Sequence, residues 1–180
     1  GSRLVTDNRE PNNANRTTTY SGMLAGRPKT GGSVRFIGRG ESGRTGTPGQ
    51  TAFQRADMDA FFKHNDGDML VGWDQPLGSH VQQSMSYSFA KTNYRSTNLV
   101  IDPPYTPTYG DLTAPFQFSD FLYDSETNVK RHHVDYRADA TIRPNQTLTA
   151  AFAYDGERGV LHDFRSTAAP HTPPRNNTGP

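Results

Sequence analysis

Residues 134–157 read VDYRADATIRPNQTLTAAFAYDGE. Val134, Tyr136, Ala138, Ala140 and Ile142 alternate with Asp135, Arg137, Asp139 and Thr141. After the turn at 143–146, Leu148, Ala150, Phe152 and Tyr154 alternate with Thr149, Ala151, Ala153, Asp155 and Glu157. Successive side chains of a strand point to opposite faces, so each arm has one apolar face and one charged or small-residue face. Pro144 and Asn145 supply turn chemistry between the arms, and the stretch reads as a β-hairpin.

The same period of two recurs outward along the chain. In 68–75, Met69, Val71 and Trp73 oppose Asp68, Gly72 and Asp74, with Leu70 out of phase. In 81–92, Val81, Met85, Tyr87 and Phe89 oppose Gln82, Ser84, Ser86, Ser88 and Thr92. Weaker strands are expected at 17–26 and 33–41. No long segment repeats its apolar residues at helical spacing, and Gly, Pro, Thr, Ser and Asn recur too densely for helices. The expected class is all-β, an antiparallel meander.

Composition narrows the options. Hydrophobic residues make up 32% of the 180, yet aromatics reach 11% and the formal net charge is only +1, which argues against disorder and against a general nucleic-acid binder. Cysteine is absent, so neither disulfides nor thiolate metal sites are expected. No apolar run is long enough for a transmembrane helix, and the first ten residues lack the regions of a signal peptide, so an export signal is expected either outside this sequence or not at all.

Loop lengths point further. Short turns are expected at 27–32, 76–80 and 143–146, and long irregular connections at about 43–56 and about 98–128. A transmembrane barrel sorts its turns and outer loops in this way, whereas a sandwich has no reason to. The arms 128–143 and 147–156 exceed an ordinary globular strand and suit a tilted crossing. Tyr20, Trp73, Phe89, Tyr94, Tyr136 and Tyr154 lie toward strand ends, where interfacial girdles form.

The ordered series TDNREPNN, VRFIGRGESGRTGTPG, DAFFKHNDGD, WDQPLG, STNLVIDPPYTP, APFQFSDFLYDS, RHHVDYRAD and LTAAFAYDGERG resembles the barrel region of TonB-dependent outer-membrane receptors. The resemblance covers nearly the whole chain, 1–180, in strand rhythm and loop character. It implies a bacterial outer-membrane location, contact with outer-membrane lipid, and active uptake of a scarce small-molecule nutrient such as a siderophore or cobalamin. It also implies an N-terminal plug and coupling to the TonB complex. Neither a plug nor a TonB-box-like segment is evident, and at about ten residues per crossing the chain supplies about six long strands, fewer than the smallest barrels. A partial sequence of a larger receptor is therefore expected. The alternatives are a soluble or surface-exposed all-β module that binds carbohydrate or another ligand, and a plain porin.

Candidate sites follow from these readings. Gly38 to Thr45 imitates a phosphate loop, but Gly46, Pro48 and Gly49 prevent the helix that such a loop requires, and Arg44 replaces its lysine. His132 and His133 are adjacent and so face opposite ways, and Asp66 and Asp68 lack the rest of a calcium loop, so no metal or cofactor is expected. No nucleophile motif or zinc-protease motif is present, and an enzyme is not expected. Arg35, Arg39, Asp135, Arg137, Asp139, Asp155 and Glu157 are expected on the lumen-facing wall, as a charge ladder with Arg158 nearby. Tyr105, Tyr109, Phe116, Phe118, Phe121 and Tyr123, set among prolines, are the candidate ligand-binding residues of the long loop, or else pack on one another.

Overall fold

The computed structural model describes residues 1–7, 9–49, 51, 55–165 and 177–178. The strands in chain order are β1 (Ser2–Thr6), β2 (Asn15–Gly26), β3 (Ser33–Gly46), β4 (Phe61–Leu77), β5 (Val81–Asn98), β6 (Thr108–Tyr109), β7 (Leu112–Thr113), β8 (Tyr123–Arg143), β9 (Gln146–Asp163) and β10 (Asn177–Thr178). The main sheet is an antiparallel meander in the order β1-β2-β3-β4-β5-β8-β9-β10, and β6 with β7 forms a separate small hairpin. The expected all-β meander of long strands is present in β2, β3, β4, β5, β8 and β9. Among the described residues no pairing closes β1 onto the far edge, so the sheet is open.

The strands run further than their alternation announces, mostly at the loop end, and β4 also runs two residues into the expected 76–80 turn. The expected 68–75 is β4 from Phe61 to Leu77, and the expected 81–92 is β5 from Val81 to Asn98. The irregular connections accordingly fall at 47–60 and 99–122 rather than 43–56 and 98–128, the first of them including residues outside the described set. Gly38 to Thr45 lies wholly within β3, and residues 47–49 that follow the strand are not helical. The added strand ends either put adjacent apolar residues on opposite faces, as at Phe61–Phe62 and Val160–Leu161, or are mainly polar, so their pairing leaves no period-two signal.

Register fixes what shares a face. One row of partners runs Leu24, Phe36, Val71, Tyr87, Val134, Tyr154 across six strands. Tyr20, Trp73, Phe89 and Tyr136 lie on the same face by the pleat. Tyr94 does not: it sits an odd number of residues from Phe89, on the opposite face, stacked on Phe62 at 5.6 Å. Leu70 also belongs to that opposite face, where its partner is Ile37 and the partner of Ile37 is Met23, a small apolar patch near the turns.

Among the described residues no second layer covers the apolar face. Leu24 is 73% exposed and Phe152 60% exposed, while the buried hydrophobic core of the described residues is Ala60 alone. The accessible surface is 13129 Å², against about 8,700 Å² for a globular chain of this mass. What burial exists is polar: Thr97 and Asn98 are almost fully enclosed where the loops fold over the end of β5.

Candidate ligand-binding site at the loop end

The connections 47–60 and 99–122 hold few regular ladders, so their backbone groups need other partners. Carboxylates supply many. Asp59 Oδ2 accepts from the amides of Leu99 at 2.9 Å and Val100 at 3.0 Å. Asp120 accepts from the Asn98 amide group at 2.8 Å through Oδ1 and from the Asp102 backbone N–H at 3.0 Å through Oδ2. Asp57 Oδ1 accepts from Asp59 and Ala60 N–H groups, and Asn12 Nδ2 donates to the carbonyls of Asp57 and Ala60. These bonds tie the two connections to each other and to the end of the sheet.

Burial pushes the Asp57 carboxyl above its ordinary range, opposed by the backbone N–H groups of Ala60 and Asp59 and reinforced by the nearby charges of Asp59 and Asp120. Burial likewise raises the Tyr105 phenol, with Arg55 pulling the other way. Both groups border an open depression of about 350 Å³, whose walls include Arg55, Asp57, Asp102, Tyr105, Phe118 and Phe121. Aromatic faces beside charges of both signs suit a small polar ligand with some apolar surface.

Of the expected aromatics, Tyr105, Phe118 and Phe121 line this depression. Tyr105 and Phe118 bridge through their backbones and stack at 6.0 Å, and Phe116 meets Phe118 edge-on at 5.4 Å. Phe121 leans on Tyr123 at 5.5 Å, and Tyr123 is the first residue of β8 rather than a loop residue. Tyr109 is on the β6–β7 hairpin, which turns through Gly110 at φ 58°. The rings thus pack on one another and still present a wall. Sequence reasoning missed Arg55, Asp57, Asp102 and Asp120, which carry no periodic signal; clustered Asp beside Pro in a long loop was the available hint.

The charged set does share a face. Arg35, Arg39, Asp135, Arg137, Asp139, Asp155 and Glu157 all occupy positions opposite the apolar row. Arg137 pairs with Asp139 at 2.8 Å, and Asp155 meets Arg131 at 3.0 Å and His133 Nδ1 at 3.1 Å. Arg131 therefore supplies the cation expected of Arg158, which points to the apolar side opposite Lys130 because it differs in parity from Asp155. On the same charged face His64 Nε2 lies 2.8 Å from Glu41 Oε1, its ring resting over Gly43 where a side chain would collide. Asp66 stands beside them, with ligand-type atoms of all three within 4.8 Å of one another, the set that could hold a cation. The β3–β4 register brings these residues together, and their sequence spacing does not announce it.

The arrangement offers binding surfaces, and the Ser79 hydroxyl that meets His80 Nδ1 at 2.8 Å sits in the exposed β4–β5 turn, away from the depression. No family model, curated protein or solved structure matches this chain.

Proposed function

We propose that the chain is a wall segment of a TonB-dependent-type outer-membrane receptor that captures a scarce small-molecule nutrient at its loop end. The observation that carries this reading is the uncovered apolar face of a one-layer sheet of long strands. In water such a face would be an aggregation surface; against lipid acyl chains it is satisfied, and the charged face then lines the interior.

The register adds support. The row through the Gly26–Val34 turn crosses β4 at Trp73, about four residues short of its turn, and β8 at Tyr136, about five short of the Thr141–Thr147 pair. The turns drift in one direction, the stagger that strand tilt in a barrel requires. Six long strands fall below the eight of the smallest barrels, so closure in this reading needs further strands, and uptake needs a plug and TonB coupling.

A soluble carbohydrate-binding module would require a second layer over Val134, Tyr136 and Ile142, and among the described residues none is there. A porin would leave the tied loops and their aromatic depression without a role, which favours the receptor.

Trp73, the single tryptophan, sits on the apolar face and tests the reading directly. In bilayers its fluorescence should be quenched by lipids brominated on their acyl chains and shielded from aqueous iodide. Iodide quenching without quenching by brominated lipid would remove the membrane assignment.

A further inference from the structure

Lysines and arginines on the apolar side of the sheet fall in rows. Arg16 is the register partner of Arg44, Arg44 of Lys63, and Lys63 of Arg95. Further along, Lys91 partners Lys130 and Lys130 partners Arg158. Like charges directly opposite one another in a sheet repel, so these rows are unfavourable unless anions meet them. Within the sheet little does. Arg95 is held by Asp124 at 2.9 Å and faces Glu126 across the β5–β8 pair, where the first row ends, but Arg16, Arg44, Lys63, Lys91, Lys130 and Arg158 have no carboxylate partner among the described residues. Phe61 instead lies under Arg44 at 4.0 Å and Lys63 at 5.1 Å, keeping both heads on this face. The carboxylates Glu41, Asp66, Asp68, Asp135, Asp139 and Asp155 lie on the opposite face.

The stagger of the turns turns two rows into one belt. Measured from the turn end of its own strand, each of these cations lies about ten to fourteen residues away, on every long strand. That is the end of one tilted membrane crossing of about ten residues. Between turn and belt the same face carries Leu24, Phe36, Val71, Phe89, Val134 and Phe152. Where the belt crosses β1 to β4 it opens into a shallow depression of about 690 Å³, lined by Arg3, Arg16, Arg44 and Lys63 with Thr18, Ser42 and Asn65, and by no carboxylate.

We propose that this belt binds the phosphate groups of anionic lipid headgroups in the leaflet on the loop side, with the depression on β1 to β4 as its strongest point. The inference rests on the membrane-wall reading. Charge complementarity selects the occupant: guanidinium and ammonium groups with hydroxyl and amide donors are a phosphate-binding set, and the adjoining apolar band holds the chains of the same molecule. A nucleic acid would have no use for that band.

The test is flotation of the full chain with two kinds of vesicle, zwitterionic and zwitterionic doped with a lipid bearing phosphate monoesters. Wild type should bind both, and the doped vesicles more tightly. Replacing Arg16, Arg44 and Lys63 together by Gln should lower the affinity for doped vesicles about a hundredfold and leave zwitterionic binding unchanged. Arg131→Gln, on the other face, should change neither. Inorganic phosphate at millimolar concentration should not displace the doped lipid. If the triple variant keeps its preference for doped vesicles, or if free phosphate abolishes it, the lipid site is wrong while the wall reading stands. Failure of wild type to bind either vesicle would overturn both.

Discussion

At the scale of single residues, Asp57 shows how the loop end is tuned. Its carboxyl titrates above the ordinary 3.8, chiefly because the loops exclude water from it. The folded loop thus holds a proton more tightly than the unfolded chain does. Its stabilising contribution is complete below pH 3.8 and is lost as pH rises through the raised value. Asp57→Asn keeps an Oδ1 acceptor for Asp59 and Ala60 but removes the charge. Thermal unfolding of both proteins from about pH 3 to about pH 7 should give coincident midpoints at the acid end and a more stable variant at the neutral end. A gap independent of pH would sink the burial argument. Little of this was readable beforehand, because burial of a loop carboxylate depends on which other loop lies over it.

At the scale of elements, the tied connections depend on Asn98. Its side chain, 1% exposed, donates to Asp120 Oδ1 and to the Phe121 carbonyl at 3.1 Å, and Asp120 in turn holds the Asp102 amide. Asn98→Ala removes a donor from the half-buried Asp120 carboxylate and from the Phe121 carbonyl, and should loosen the 99–122 connection by about 1–3 kcal/mol. Hydrogen exchange should speed up about tenfold or more at the Asp102 and Phe121 amides, with the β8–β9 ladder unchanged. Uniform acceleration across the sheet would mean that Asn98 supports the strand rather than the loop. Strand identity, by contrast, was plain in sequence wherever one face is apolar. It failed at 61–67, 93–98 and 123–127, where no apolar residues alternate with polar ones and only pairing reveals a strand.

At the scale of the whole molecule, the two faces make opposite demands. Val71 and Ser86 lie at similar depth on neighbouring strands, Val71 on the apolar face and Ser86 on the charged one. Val71→Arg should cost about 2–4 kcal/mol of folding free energy in bilayers, while Ser86→Arg should cost little. Urea-induced unfolding from vesicles, followed through Trp73, measures both. Equal penalties would mean that the faces are not solvated differently, contrary to the proposed function.

The sequence by itself determined the β class, the meander of hairpins, and the parity that puts Arg35, Arg39, Asp135 and Asp155 opposite Val134 and Phe152. Parity is a local property of the extended backbone, so it survives without knowledge of neighbours. Only the tertiary structure decided what meets across strands. The Glu41–His64–Asp66 cluster, the rejection of Arg158 in favour of Arg131, and the depression between loops all arise from register and loop docking. So does the belt of cations, since Arg16, Arg44, Lys63 and Lys130 are far apart in the chain. Hydrogen-bond register aligned them on one face, and no spacing along a single strand encodes that alignment.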